Sequence, residues 1–303
     1  MPRSLDLLAL ASAAFAAFAA GGCSSSDGGA ALCKGVTPQC IGLAAGSSEA
    51  QVQAAFVQIT EGGTIVFGAG TFSLMNGLSL ATKNVTVKGQ GMDVTILDFS
   101  KQAGGSPTGI YDNRDGFTLE DLTVQNTFGD AVKLEGSTGV TFQRVHVQWQ
   151  STDLPNHGAY GLYPVQCTNV LIQDCKVEGA SDSGVYVGQS NQIVVRRNTV
   201  DQNVAGIEIE NSHFADVYNN TATNNTAGIL VFALPNLQQV DTHDVRVYMN
   251  NIVMNNLPSF AAQGDIVSQV PDGTGFIVMA ADSVEVFQNT ISGNQTDQAS
   301  IIS

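Results

Sequence analysis

GVYVGQSNQIVVRRNTVDQNVAGIEIENSHFADVYNNTATNNTAGILV, residues 184–231, repeats itself. Gly184-Val185-Tyr186-Val187, Gly206-Ile207-Glu208-Ile209 and Gly228-Ile229-Leu230-Val231 begin 22 residues apart. Asparagine-led segments keep pace at Asn198, Asn220, Asn251 and Asn289, each followed five residues later by Asn203, Asn225, Asn256 and Asn294. Weaker copies start at Gly109, Ala131 and Gly161. Within each unit the apolar residues alternate, as in Ile207/Ile209 and Val284/Val286, which is the period of a strand. A helix-free unit of this length reads as one coil of a parallel β-solenoid. One coil cannot bury its own inward Val and Ile, but coils stacked about 4.8 Å apart make a continuous apolar column. The repeated asparagines are expected at the corners, taking left-handed backbone angles and bonding from coil to coil.

The rest of the 303 residues fits that reading. Glycine is frequent, at 32, and only 13% of residues are charged. Twelve Lys and Arg against 27 Asp and Glu leave a net charge of -15, which would repel a phosphate backbone and argues against nucleic acid as a partner. The chain lacks a CxxC pair, a GxSxG elbow and an Asp-X-Asp calcium loop, so zinc-ribbon, esterase and EF-hand chemistry have no support.

At the amino end Arg3 precedes an apolar run from Leu7 to Ala20 that stops at Gly21-Gly22-Cys23, the layout of an export signal. Cys23 followed by Ser24-Ser25-Ser26-Asp27-Gly28-Gly29 resembles a bacterial lipobox with its tether, although Ala20 stands where leucine is usual and Asp6 intrudes on the basic end. The expected layout is therefore a signal peptide over 1–22, a lipid-anchor cysteine and flexible linker over 23–47, and the solenoid over 48–303. It implies an exported, cell-envelope lipoprotein at the outer membrane or cell surface, or failing acylation a secreted protein. Cys33 and Cys40 bracket a short loop and are expected to form a disulfide in an oxidising compartment. Strand-like Val170-Leu171-Ile172 would hold Cys167 and Cys175 apart, and Cys175 is read as a small buried apolar residue.

The segment from about Ala50 to Ser303 resembles the right-handed parallel β-helix, or pectin-lyase-like, superfamily. VQAAFVQITEGGTIVFGAGTF (52–72) resembles the capping helix, glycine turn and first strand of its members. NHGAYGLYPVQC and AGIEIENSHFADVYNN resemble exported bacterial β-helix repeat proteins without a firmly assigned activity. The resemblance implies an all-β right-handed solenoid with a short N-terminal cap. Lyases, glycoside hydrolases, epimerases and non-catalytic fibres share that fold, so the chemistry has to come from the site.

Alternation places Tyr111, Lys133, Tyr163, Tyr186, Glu208 and Leu230 in one outward column, beside Asn113, Glu135, Val165, Gly188, Glu210 and Phe232. Aromatic faces cover the apolar side of a sugar and carboxylates accept its hydroxyls. Three interruptions of the repeat, 151–160, 233–244 and 256–274, border this face and would wall a groove. The first carries His157 near Tyr160; at the base of the second, His243 lies between Asp241 and Asp244. These features predict a polysaccharide ligand, a uronate-containing glycan, held by Tyr111, Tyr160, Tyr163, Tyr186 and Phe232. His157, Lys133 or Tyr163 would serve as base in a lyase or epimerase, ahead of hydrolysis by Glu208 and Glu210 as a carboxylate pair. Calcium on Glu208 and Glu210 would offset their like charge. The alternative is a non-catalytic surface solenoid that binds glycan or protein.

Overall fold

A computed structural model describes residues 27–103 and 107–302 of the chain. Cys23 and the signal segment lie outside the described residues. From Thr64 onward the chain winds as parallel coils. Eight strands stack into one sheet: Ile110–Asp112, Val132–Glu135, Tyr160–Val165, Ser183–Gly188, Ala205–Glu210, Ala227–Phe232, Thr274–Met279 and Asp297–Ile302. The remaining strands, two for most coils, form a 17-stranded sheet that closes the other sides. Pairing is parallel throughout, with Val185 beside Ile207, Ile207 beside Ile229 and Ile229 beside Phe276. These four side chains form one inward column that is almost wholly sealed from solvent. Burying each contributes about 1.5–3 kcal/mol, which a lone coil could not gather. The outcome is a parallel β-helix, as the repeat predicts.

The cap forms as expected. Ser48 and Gln51 make a reciprocal capping box that starts helix Glu49–Gln58, and Val52, Ala55 and Phe56 of that helix close the end of the core. The linker expectation is corrected: Asp27–Leu32 is helical and Cys40–Leu43 pairs in register with Thr64–Phe67, so ordered structure begins well before residue 48. Cys33 and Cys40 are bridged, whereas Cys167 and Cys175 are free and buried.

The asparagines do stack, with two corrections. One ladder runs Asn198, Asn220, Asn250, Asn289 and the other Asn203, Asn225, Asn255, Asn294. Asn251 and Asn256 are thus one residue out, because Asn251 pairs beside Thr221 rather than Asn220. The left-handed residue is also not the ladder asparagine but the one before it: Arg197, Gln202, Asn219, Asn224, Met249, Met254 and Gln288 all have φ between 52° and 58°. That residue turns the corner; the asparagine behind it, buried in every case but the half-buried Asn289, satisfies the backbone of neighbouring coils. Asn220 Oδ1 accepts from the Asn198 backbone N–H at 3.0 Å, and its Nδ2 donates to Val195 O at 2.9 Å.

Candidate functional site

The strand register reproduces the first outward column, and the second from Glu135 onward; Asn113 lies past the end of strand Ile110–Asp112. Tyr111 pairs beside Lys133 and Lys133 beside Tyr163; Tyr186 pairs beside Glu208 and Glu208 beside Leu230. In the second column Val165 lies between Glu135 and Gly188, and Glu210 between Gly188 and Phe232. Outward does not mean exposed here. Leu154, Leu234, Leu257, Phe260, Val267 and Val270 from the three interruptions fold back over the sheet. They build a second apolar cluster outside the solenoid, packed on Leu230 and Phe232. Glu208 is left 3% exposed and Glu210 8%, so the expected open platform is a covered cleft.

The cleft has a volume of about 630 Å³. Its floor carries Asp182, Glu208, Glu210, Tyr160 and Tyr186, and its walls are mostly apolar, from Leu234 and Leu237 on one side to Ile266, Val267, Val270 and Pro271 on the other, with Asp265 and Gln269 among them. No Lys, Arg or His lines it among the described residues. Tyr186 lies back over Gly188, where a β-carbon would collide with the ring, and its hydroxyl donates to Glu210. Tyr160 donates to Asp182 Oδ2 at 3.1 Å. One oxygen of Glu208, Oε1, is buried with no partner.

Burial dominates the electrostatics. It pushes Asp182 up to about 7, partly offset by the Tyr160 hydrogen bond and reinforced by Asp265, Glu210 and Asp130. Burial, then Asp182 and Glu210, raises Glu208 well above the usual carboxylate range. Glu210 is raised by burial against the Tyr186 hydrogen bond. At neutral pH the floor therefore holds protons that solvated carboxylates would have released. Displaced carboxyl groups gathered in a cleft are the arrangement expected of a functional site.

Tyr163, outside the cleft, packs on the floor residues Tyr160 and Tyr186, the three rings 4.5 to 4.9 Å apart between centroids and tilted or edge-on rather than as a flat shelf. Burial and neighbouring carboxylates raise the Tyr163 hydroxyl, which opposes its expected use as a base. Lys133 Nζ lies 5.0 Å from the Tyr163 ring centre and 3.4 Å from Glu135, and Tyr111 reaches Glu135 at 3.4 Å. His157 is corrected more fully. It is 7% exposed, stacks on Trp149, and directs both ring nitrogens at backbone carbonyls of Gly179 and Ser151, 2.7 and 3.1 Å away. It fastens its loop to the solenoid and turns no lone pair toward the cleft.

Sequence reasoning brought Tyr160, Tyr186, Glu208, Glu210 and Phe232 together, and it missed Asp182. The available signal was position: Asp182 stands one residue before Ser183–Gly188, on the edge that receives Tyr160 from an interruption. Glu208 and Glu210 do not belong to any grouping of three or more His, Cys, Asp or Glu ligand atoms within 4.8 Å of one another among the described residues. The grouping that does occur is His213, Asp241 and His243.

Residues 83–240 match the family described as the right handed beta helix region. No curated protein matches the sequence. Among solved structures, the A-module of the Azotobacter vinelandii mannuronan C-5 epimerase AlgE4 aligns with a TM-score of 0.59 at 19% identity, covering 88% of this chain and 79% of that one. An alginate lyase from Paenibacillus sp. aligns at 0.48 and 13% identity, over 81% of this chain and 98% of the lyase. The tailspike protein of E. coli bacteriophage HK620, solved as a mutant with a pentasaccharide, aligns at 0.49 and 15% identity, over 84% and 55%. At these identities the likeness is one of fold. The family match spans more than half of the 303 residues, in the part of the chain that carries the stacked coils and the carboxylate floor, and the chain belongs to the right-handed parallel β-helix family.

Proposed function

We propose that this protein binds a polysaccharide along its loop-walled face and seats one sugar of the chain in the acidic cleft. The observation that carries the reading is the buried, unpartnered Oε1 of Glu208 on the cleft floor. An unsatisfied buried acceptor costs about 1–3 kcal/mol, and a sugar hydroxyl is a donor of the right kind to relieve it. Leu230, Phe232, Ile277 and Met279 offer apolar surface to the C–H face of a ring. Lys133 lies three coils from Glu208, roughly 14 Å at strand spacing. It is the cation that a uronate carboxylate would meet, while an uncharged part of the chain lies over the carboxyl floor. Calcium belongs to the same reading as an alternative to a proton: Glu208 Oε1 and Glu210 are hard oxygen donors, and glycan hydroxyls would complete the shell. Any turnover at this site would use Asp182, held near neutrality, as the group that gives or takes the proton.

The test is titration of the purified protein with a panel of uronate-containing and neutral polysaccharides, with and without calcium, while product formation is followed by ultraviolet absorbance and reducing ends. Tyr186→Phe and Glu208→Leu, which removes the Oε1 acceptor, should each weaken binding about tenfold, the loss of roughly one hydrogen bond. Unchanged affinity in the double variant would overturn the site. The reading also includes export and acylation at Cys23, supported by the short apolar run and the Ser/Gly segment around it. Cys23→Ser should move the protein from the membrane fraction to the soluble fraction, and unaltered partitioning would remove the anchor.

A further inference from the structure

On the neighbouring side of the solenoid, His213 and His243 open two successive strands and pair directly in register. Their rings stack with centroids 3.8 Å apart. Asp241, two residues before strand His243–Tyr248, places Oδ1 at 2.8 Å from His213 Nε2. One ligand atom from each of the three lies within 4.8 Å of the others. Asp244 sits 2.8 Å from His243 Nδ1; accepting the proton there leaves the Nε2 lone pair free. The coils on either side carry Asn191 and Asp282 at the same register position, so stacking of the solenoid does not itself require imidazole here.

We propose that His213, Asp241 and His243 bind a divalent transition metal of the zinc type, which clips the 233–242 segment to the solenoid. Two imidazoles and one carboxylate suit zinc and its neighbours far better than calcium or magnesium. The metal replaces the direct His213–Asp241 hydrogen bond, parting those two atoms from 2.8 Å to about 3.3 Å, the span of two ligands about 2.0–2.1 Å from one ion. Asp244 acts as the outer carboxylate that fixes the His243 tautomer. An adjoining cavity of about 560 Å³, bordered by His213, Asp241, Gln238 and Gln239, admits the ion and a water for the fourth position. Hydrogen bonds also tie the segment to the solenoid: Asn211 donates to the Leu234 and Gln239 carbonyls and accepts from the Leu234 N–H, while Gln239 donates to the Ser190 and Asn211 carbonyls. Because Leu234 and Leu237 line the cleft on the other side of the edge, the clip stiffens one wall of the ligand site.

Zinc chloride titrated calorimetrically into chelator-treated full-length protein should bind at one equivalent and raise the melting temperature. Cobalt in place of zinc should give visible d–d absorption. His213→Asn and His243→Asn should lower affinity at least 100-fold with unchanged far-ultraviolet dichroism, since asparagine already occupies that ladder position at Asn191. Asp244→Asn should lower it about 10-fold. Absence of zinc binding to the wild-type protein would overturn the proposal. So would one-equivalent binding that survives in both histidine variants and in Asp241→Asn, the loop substitution that leaves the ladder intact.

Discussion

Asp182, Glu208 and Glu210 share one floor, and ionising any of them makes it harder to ionise the next. Burial pushes Asp182 up to about 7 in the fold, against an ordinary aspartate value of about 3.8. A raised folded-state pKa contributes stability that is complete below the unfolded value and is lost as pH rises through the folded one. The ligand-free protein should therefore lose stability between about pH 4 and pH 7, and Asp182→Asn should flatten that slope in urea unfolding at stepped pH. An unaltered slope in the variant would mean that Asp182 is not the group holding the proton. Glu178 works in the opposite sense. Hydrogen bonds from His146 and Lys176 hold it at about 2 against burial, so its contribution is present above about 4.5 and disappears as pH falls toward 2. Glu178→Gln should thus destabilise the protein at neutral pH and make little difference at pH 2, read by the same unfolding curves. Asp112 offers a third case: its inward Oδ2 has no partner and burial raises it to about 6. Asp112→Asn keeps the acceptor for the Asn113 and Arg114 amides and removes the ionisation, so melting at pH 8 should rise.

At the level of the strand and its corner, adjacent asparagines do different work. Asn219 carries φ 55° and turns the chain; Asn220 is buried and bonds to the coils on both sides. Asn219→Gly should leave the melting temperature unchanged or raise it, by up to about 1 kcal/mol of relieved left-handed strain. Asn220→Gly should cost about 2–4 kcal/mol, because it strands the Asn198 amide and the Val195 carbonyl. Equal effects from the two changes would show that the corner and ladder roles have been exchanged. The 22-residue step and the alternation of Ile207 with Glu208 were enough to read the coil and its facing, because burial in a solenoid leaves a period in the sequence. The ladder position at Asn250 was not legible in the same way: Asn250 and Asn251 are neighbours, and only pairing with Thr221 tells them apart. The covering of Glu208 and Glu210 was also hidden. It depends on how three aperiodic loops fold back, and no period records that. His157 failed as a base for the same reason, since its partners are backbone carbonyls, which carry no sequence signature.

Across the molecule, two apolar assemblies have separate origins. The inner one comes mainly from the repeat and, with the cap, runs from Leu43 to Val278; the outer one comes from the interruptions and rests on Leu230 and Phe232. They should part under deletion. Replacing Leu257–Pro271 with a short Asn-Gly turn should keep the sheet signal in far-ultraviolet dichroism, expose Leu230, Phe232 and Ile277, raise binding of a hydrophobic dye, and remove the cleft. Loss of the sheet signal would mean that the outer assembly holds the solenoid together.

The register that stacks Tyr111 on Lys133 and Glu208 on Leu230 also turns the molecule into a measuring stick. Distances along this face come only in whole coils of about 4.8 Å. Lys133 and Glu208 can draw apart by one graduation if a 22-residue unit is duplicated between them, and every residue outside the copy keeps its neighbours. On the proposed reading, the spacing between the points where this face would hold a sugar chain is thus written as a count of repeats. A lineage could reset it by unequal crossing-over, without a single substitution in Lys133 or in the carboxyl floor.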